Sequence, residues 1–129
     1  MRKRTWQTKS PKPPPRPKVV DDVREAVDAQ AARVVARLKK RLGKKPKNQH
    51  FNYPDDLFTR WHREALYFVV VMRTPHGRPP TFEVHAARME HAGDGRFNLA
   101  VPMRRGWNTI KQQATVDVCL EEIEQTISV

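Results

Sequence analysis

The chain has 129 residues, a formal net charge of +11 and a single cysteine, Cys119. This length suits one compact domain with a tail, and one cysteine excludes an intrachain disulfide framework. The longest apolar run, residues 65–72, is too short to cross a bilayer as a helix. These features predict a cytoplasmic protein without a membrane span.

The positive charge is concentrated in the first third of the chain. Residues 1–47 contain 16 basic and 4 acidic residues, a net charge of +12, whereas residues 48–129 contain 9 basic and 10 acidic residues, a net charge of −1. This distribution is typical of a basic segment joined to a nearly neutral globular domain. It predicts attraction to a polyanion, with nucleic acid as the first choice and an anionic membrane surface as the second.

Residues 1–18 contain five prolines and seven basic residues. Proline fixes φ and lacks an amide donor, so this segment is predicted to be a disordered or polyproline II arm. The spacing of Pro11, Pro14 and Pro17 is that of a ligand for a proline-binding module, which leaves a protein partner open beside an electrostatic one. Trp6 is compatible both with docking on the domain and with stacking on a base.

Residues 19–43 are predicted to form an amphipathic helix. Apolar residues recur at spacings of three and four, acidic residues occupy the first turn, and three consecutive basic residues occupy the last turn before a glycine. Its C-terminal half and the basic linker at 44–50 are interpreted either as a solvated face or as a phosphate-binding surface. The predicted phosphate contacts are Arg33, Arg37, Lys39, Lys40, Arg41, Lys44, Lys45 and Lys47, with Arg104 and Arg105 from a later turn.

Residues 51–129 are predicted to form an α+β domain, a three- to four-stranded antiparallel sheet with a C-terminal helix packed on one face. Residues 65–73 are β-branched and apolar on both alternating faces, as in a central strand, whereas residues 50–61 are interpreted as an aromatic, turn-rich segment. Whether the first helix covers the sheet or stands apart is left open. Further strands are predicted at 81–91, 96–103 and 107–113.

The final helix is predicted to begin after a capping threonine, Thr115. Its apolar stripe places Cys119 among buried side chains, where a free cysteine behaves as a small hydrophobe. Pro102 predicts that the strand before it ends there or lies at an edge. A small sheet that displays arginine and aromatic side chains could also lie in a groove or stack on single-stranded bases. The candidates for such contacts are Arg60, Trp61, His62, Arg63, Arg73, Arg88, Arg104, Arg105 and Trp107. For Trp61 and Trp107 a position in the core or at its edge is the favoured interpretation, because a small domain needs large side chains to fill its core.

Residues 82–91, FEVHAARMEH, hold two histidines, two glutamates and an arginine. Strict alternation mixes polar and apolar residues on both faces of a strand, but a bulge at Ala86 and Ala87 sorts them. Phe82, Val84, Ala87 and Met89 would then point inward, and the outward row would be Glu83, His85, Arg88 and Glu90. That row fits an acid–base site of ribonuclease type, although a ladder of ion pairs on a solvated face is the favoured interpretation.

The remaining motifs do not favour metal or cofactor chemistry. The five histidines lack zinc-protease spacing, and one cysteine excludes a thiolate-rich zinc site. Neither a nucleophile elbow nor a phosphate-binding glycine loop is present. The signature motifs of the common nucleic-acid-binding modules are missing as well. We therefore expect no metal and no cofactor.

The segments RWH, FE..AARME, GRFNLA, MRRGW and VCLEEI, in this order, resemble those of a family of small bacterial proteins of unknown function. An N-terminal tryptophan followed by lysines and prolines, as at residues 6–17, belongs to the same pattern. The resemblance covers most of the chain and implies a shared fold and a bacterial cytoplasmic setting, but no activity. Where the family pattern reads Tyr-Met-Arg-His-Thr-Gly, this chain reads VPMRRGW without the histidine, which counts against a catalytic role there.

Three hypotheses for function remain. The leading one is a non-enzymatic nucleic-acid-binding or nucleic-acid-associated protein that acts through its basic N-terminal third. The second is a small ribonuclease-like hydrolase that uses the outward row of the bulged strand. The third is a protein-interaction module whose Pro-rich arm docks on a partner protein.

Overall fold

The computed structural model describes residues 17–42, 51–75, 77 and 79–127. The described elements are α1 (Asp21–Leu42), β1 (Tyr53–His62), β2 (Ala65–Arg73), β3 (Thr81–Gly93), β4 (Arg96–Pro102), β5 (Trp107–Ala114) and α2 (Val116–Thr126). The strands form one antiparallel sheet in chain order, β1-β2-β3-β4-β5. The predicted α+β class is therefore confirmed. The predicted flexible arm up to residue 16, the last residue of the predicted helix, Gly43, and the predicted linker at 44–50 lie outside the described residues.

β1 is the strand that raises the predicted count of three or four to five. It contains Pro54, Asp55 and Asp56, and these residue types are depleted in strands. It nevertheless pairs along the length of β2, with a register shift between Pro54 and Asp56. A proline is tolerated here because β1 is an edge strand, where a missing amide donor leaves few ladder bonds unmade. The segment at 50–61, interpreted from its composition as turn-rich, therefore contains most of an edge strand with an irregular start.

One hydrophobic core joins both helices to one face of the sheet, which we call the helix-covered face. α1 packs mainly on β1 and against α2, and α2 packs on β4 and β5. The first helix therefore covers the sheet and does not stand apart. The buried core residues are Val27, Ala31, Val34 and Leu38 from α1, Leu57, Leu66, Phe68, Val70, Ala87, Met89, Phe97 and Leu99 from the sheet, and Cys119, Leu120, Ile123 and Ile127 from α2 and its C-terminal end.

The chain is fastened to the sheet where it enters α1. Val19 is buried, and its amide donates to Glu64 Oε1 at 2.7 Å. The buried His91 ring donates from Nδ1 to the carbonyl of Pro17 at 2.9 Å and accepts at Nε2 from the Gly95 amide at 3.3 Å. The carbonyl needs a donor and the amide needs an acceptor, so these contacts select the neutral Nδ1–H tautomer. The start of α1 is thereby placed at the end of the sheet that holds the β1–β2 and β3–β4 turns.

The start of α2 follows the prediction. Thr115 is extended, and its hydroxyl accepts from the Val118 amide at 3.4 Å, which satisfies one of the free donors at the helix N-terminus. β4 ends at Pro102, as expected for a residue that cannot donate to the ladder. None of the described helices combines the length and the apolar composition that crossing a membrane requires.

The bulge in β3 lies where the sequence predicted it. Phe68 pairs with Ala87 and the next residue, Val69, pairs with His85, so Ala86 is the extra residue. After the bulge, Ala87 and Met89 are buried in the core. Before it, Val84 lies opposite Val70 on the helix-covered face but is still 38% exposed. The predicted inward set therefore shares one face, although its first members lie at the margin of the core.

Candidate nucleic-acid interface

The face of the sheet opposite the helices, which we call the open face, carries aromatic rings from three strands. Tyr67 of β2 lies 4.8 Å from His85 of β3 and 6.0 Å from Trp107 of β5, measured between ring centroids. The rings of His85 and Trp107 are nearly parallel, with planes 29° apart and centroids 6.1 Å apart. These separations are those of favourable aromatic pairs. We call Tyr67, His85 and Trp107 the ring cluster.

Trp107 reaches β3 because β4 places a small residue between them. Ala100 of β4 lies opposite Arg88 on one side and Thr109 on the other, so the three residues share the open face. The guanidinium carbon of Arg88 lies 4.4 Å from the Trp107 ring centroid, which is a cation–π distance. A larger side chain at Ala100 would separate the indole from its partners.

A small apolar layer accompanies the ring cluster. Ala65, Val69 and Ala100 are buried but do not belong to the main core. Ala65 lies opposite Glu90 and Val69 lies opposite His85, which places both on the open face. The rings are therefore set in a partly apolar surface, unlike the polar exterior that antiparallel sheets usually present to water.

The predicted outward row, Glu83, His85, Arg88 and Glu90, is brought to the open face as one set. Their opposite residues on β2 are Val71, Val69, Tyr67 and Ala65. Both carboxylates are paired with arginines. Arg60 Nη2 donates to Glu83 at 3.0 and 3.1 Å, and Arg88 Nη2 lies 2.6 Å from Glu90 Oε1. These contacts are those of an ion-pair ladder.

His85 itself is exposed and is positioned by rings. Its contacts within the described part of the chain are those to Tyr67 and Trp107. Across the same residues, no three histidine, cysteine or acidic side chains lie close enough to hold a metal ion. The arrangement therefore offers an aromatic surface, and no carboxylate of the described segments is hydrogen-bonded to the imidazole to orient it as a base.

Three of the predicted phosphate contacts on α1 are engaged in packing the helix. Arg37 donates from Nε and Nη2 to the two carboxylate oxygens of Glu124, both at 2.8 Å. These hydrogen bonds are the main cause that lowers the pKa of Glu124 and raises the pKa of Arg37. Arg41 approaches Glu124 at 3.9 Å, and Lys39 lies 3.2 Å from Asp56. Much of the charge on this helix therefore joins α1 to α2 and β1.

The other predicted phosphate-contacting residues on the described segments are exposed and have no ion pair with another described residue. Arg33 and Lys40 are exposed on α1, and Arg104 and Arg105 are exposed in the β4–β5 turn. None of these four forms an ion pair with another described residue. Lys44, Lys45 and Lys47 lie outside the described residues.

The β4–β5 turn connects the basic residues to the ring cluster. The Met103 amide donates to the Gly106 carbonyl at 2.9 Å, and Gly106 has a φ of +78°, a conformation that glycine adopts without strain. The turn presents Arg104 and Arg105, which a single glycine separates from Trp107. The sequence indicates these arginines and Trp107 as candidates for a base-contacting face of the sheet, although it favours a core position for Trp107. It does not place Tyr67 or His85 on that face, because Tyr67 belongs to the pattern of a central strand and His85 to the polar row of β3.

The two tryptophans of the sheet have different surroundings. Trp61 packs at the edge of the main core, as predicted. Its Nε1 donates to Asp28 Oδ1 at 2.8 Å, and Arg24 lies over its ring at 4.4 Å. Trp107 is half-buried on the open face instead. Its strand position next to the turn was visible in the sequence, but the face that it occupies was not.

Comparison with known protein families identifies a family to which this chain belongs. Residues 20–127 match the model of a domain of unknown function, DUF3024. The chain belongs to this family. The match confirms the resemblance to a family of unknown function, and it spans both helices and the whole sheet of the DUF3024 fold. Neither a curated protein nor a solved structure was matched by the chain.

The single cysteine of this DUF3024 chain is expected to be chemically inert. Cys119 is buried, and its burial raises the pKa of the thiol to about 11 against the opposing effect of Lys111. Because the thiolate is the reactive species, we expect the folded protein at about pH 8 to resist Ellman's reagent while the urea-denatured protein reacts with one equivalent. The absorbance of the released thionitrobenzoate measures the extent of the reaction. A rapid stoichiometric reaction of the folded protein would contradict the buried position of Cys119.

Proposed function

We propose that this DUF3024 protein is a non-enzymatic nucleic-acid-binding or nucleic-acid-associated protein. The observation that carries the proposal is the charge distribution, +12 over residues 1–47 and −1 over residues 48–129. A cationic segment of this kind binds the phosphate backbone through the release of condensed counterions, without regard to base sequence. The bacterial cytoplasm belongs to the same proposal, because nucleic acid is present there and the single cysteine suits a reducing compartment.

The ion pairs of the folded domain narrow the set of residues that we propose as phosphate contacts. Arg37, Lys39 and Arg41 are held by carboxylates and are not assigned to the partner. Arg33 and Lys40 are exposed without such partners among the described residues. We assign the phosphate contacts to these two residues and to Lys44, Lys45, Lys47, Arg104, Arg105 and the basic residues before α1.

Binding is favoured over hydrolysis by the contacts of the outward row. A ribonuclease needs a base and an acid that are free to exchange protons with the substrate. Glu83 and Glu90 are each paired with an arginine, and His85 contacts aromatic rings. A docking role for the Pro-rich arm has no comparable support within the described residues, and it becomes an outcome of the experiment below.

The test measures how the affinity of the full-length protein for a fluorescent oligonucleotide changes with salt. We expect the logarithm of the binding constant to fall linearly with the logarithm of salt concentration, with a slope of about −0.7 to −0.9 for each phosphate contact. The first variant, which we call the arm variant, should flatten this slope by several units. In it, glutamine replaces six basic residues: Arg2, Lys3, Arg4, Lys9, Lys12 and Arg16. A second variant, with Lys44, Lys45 and Lys47 replaced by glutamine, should flatten it by about two to three units.

The control is Arg63→Gln, which removes one exposed positive charge from the β1–β2 turn and should leave the slope nearly unchanged. Substitutions are used because deleting residues 1–47 would remove α1, whose side chains form part of the core. An affinity that is insensitive to salt, or one that both glutamine variants retain, would exclude the proposal. If the arm variant instead lost a nuclease-resistant interaction with a protein partner but still bound the oligonucleotide, the interaction-module hypothesis would replace the proposed function.

A further inference from the structure

We infer that the open face of the sheet is a base-stacking platform for single-stranded nucleic acid. Tyr67, His85 and Trp107 would contact bases, and Arg104 and Arg105 would contact the flanking phosphates. The inference rests on the proposed nucleic-acid binding and names its substrate class, an unpaired strand of RNA or DNA.

The rings form a continuous row across the open face. His62 of β1 lies 6.3 Å from Tyr67, Tyr67 lies 4.8 Å from His85, and His85 lies 6.1 Å from Trp107. His62 and His85 are exposed, and Tyr67 and Trp107 are half-buried. Aromatic side chains displayed on a sheet bind unstacked bases irrespective of sequence, because every base has a π-face. In a duplex the bases are already stacked on one another, so the row selects single strands.

The charges around the row complement a single strand. At its centre, Arg60 is paired with Glu83 at 3.0 Å and Arg88 with Glu90 at 2.6 Å, so these four charges cancel. A neutral centre suits uncharged bases. At its margin, Arg104 and Arg105 carry exposed positive charges next to Trp107, and such charges suit the phosphates that connect the bases.

The platform is organised before any ligand binds. The indole of Trp107 is held by the Arg88 guanidinium at 4.4 Å and by the neighbouring rings. The strand that carries it is paired with β4, where Pro102 lies opposite Trp107. Ordering a flexible aromatic side chain would oppose binding, whereas a ring that is already held avoids that loss of entropy.

The experiment compares His85→Ala with the parent protein on a dT oligonucleotide and on a duplex of the same length. His85 is exposed, so its removal is expected to leave the fold unchanged by circular dichroism. Loss of one stacked base should weaken binding of the single strand by about 5- to 100-fold, and binding of the duplex by less than about twofold. Thr109→Ala, an exposed change on the same face, is the matched control.

A second measurement reports on Trp107 directly and leaves the ring cluster unchanged. In the Trp6→Phe, Trp61→Phe protein, Trp107 is the remaining tryptophan, and its fluorescence should be quenched to a plateau by the dT oligonucleotide. If the arm variant loses binding while His85→Ala and the fluorescence do not respond, the platform is excluded and the proposed function stands. If His85→Ala weakened binding to the single strand and to the duplex equally, the platform would also be excluded. Binding that is insensitive to salt would exclude both the platform and the proposed function.

Discussion

Leu38→Ala is expected to lower the free energy of unfolding by about 2–5 kcal/mol. Leu38 is fully buried in α1 and belongs to the core that the helix shares with the sheet. Truncation removes apolar contacts and leaves a cavity that the rigid sheet fills only in part. Because one core joins α1, the sheet and α2, the protein should still unfold in a single transition, at a lower denaturant concentration. Urea titrations followed by circular dichroism and by tryptophan fluorescence measure both properties.

The control for this prediction is Lys40→Ala, which lies two residues further along the same helix. Lys40 is exposed and has no ion pair with a described residue, so its loss should change the free energy of unfolding by less than about 0.5 kcal/mol. Two separate transitions in the Leu38→Ala protein, with the helical signal lost before the sheet melts, would show that α1 stands apart from the domain.

Phe97→Ala is expected to cost more, about 3–5 kcal/mol. Phe97 is fully buried on β4, its ring lies 5.2 Å from that of His91, and its carbonyl lies 3.8 Å from Cys119 Sγ. The side chain therefore packs where the sheet, α2 and the fastened start of α1 come together. The same urea titrations measure the loss, and a lower midpoint with an unchanged slope would show that stability alone has changed.

Phe51→Ala provides a control of the same residue type. Phe51 precedes β1 and is 66% exposed, so the same truncation should change stability by less than about 0.5 kcal/mol. The comparison separates the cost of a cavity from the general effect of losing a phenyl ring. Equal effects of the two substitutions would mean that Phe97 is not a core residue.

Periodicity along the chain predicted those elements whose residues follow one pattern. α1 and α2 were predicted to within about two residues at each end, because apolar side chains three and four apart define a helical face. The bulge at Ala86 was predictable from the paired alanines, since without it both faces of β3 would be mixed. β1 was not predicted, because Pro54, Asp55 and Asp56 give its first half the composition of a turn.

The candidate interface was predictable only in part. The row from Glu83 to Glu90 and the arginines at 104 and 105 were identified as polar, exposed residues by their local pattern. The pairing of Arg37 with Glu124 joins residues 87 positions apart, and nothing in the local sequence of α1 shows that α2 presents an acidic residue to it. The charge available to a partner is therefore smaller on this helix than its sequence indicates.

The sequence by itself determined the α+β class, the two helices, the sorted faces of β3 and the concentration of positive charge before residue 48. Only the tertiary structure decided that both helices cover one face and that Tyr67, His85 and Trp107 meet on the other. The physical reason is the distance along the chain over which each feature is determined. The side chains of a helix or strand alternate at a fixed period that the chain displays locally. Contacts across β4, by contrast, depend on strand register and on the small size of Ala100.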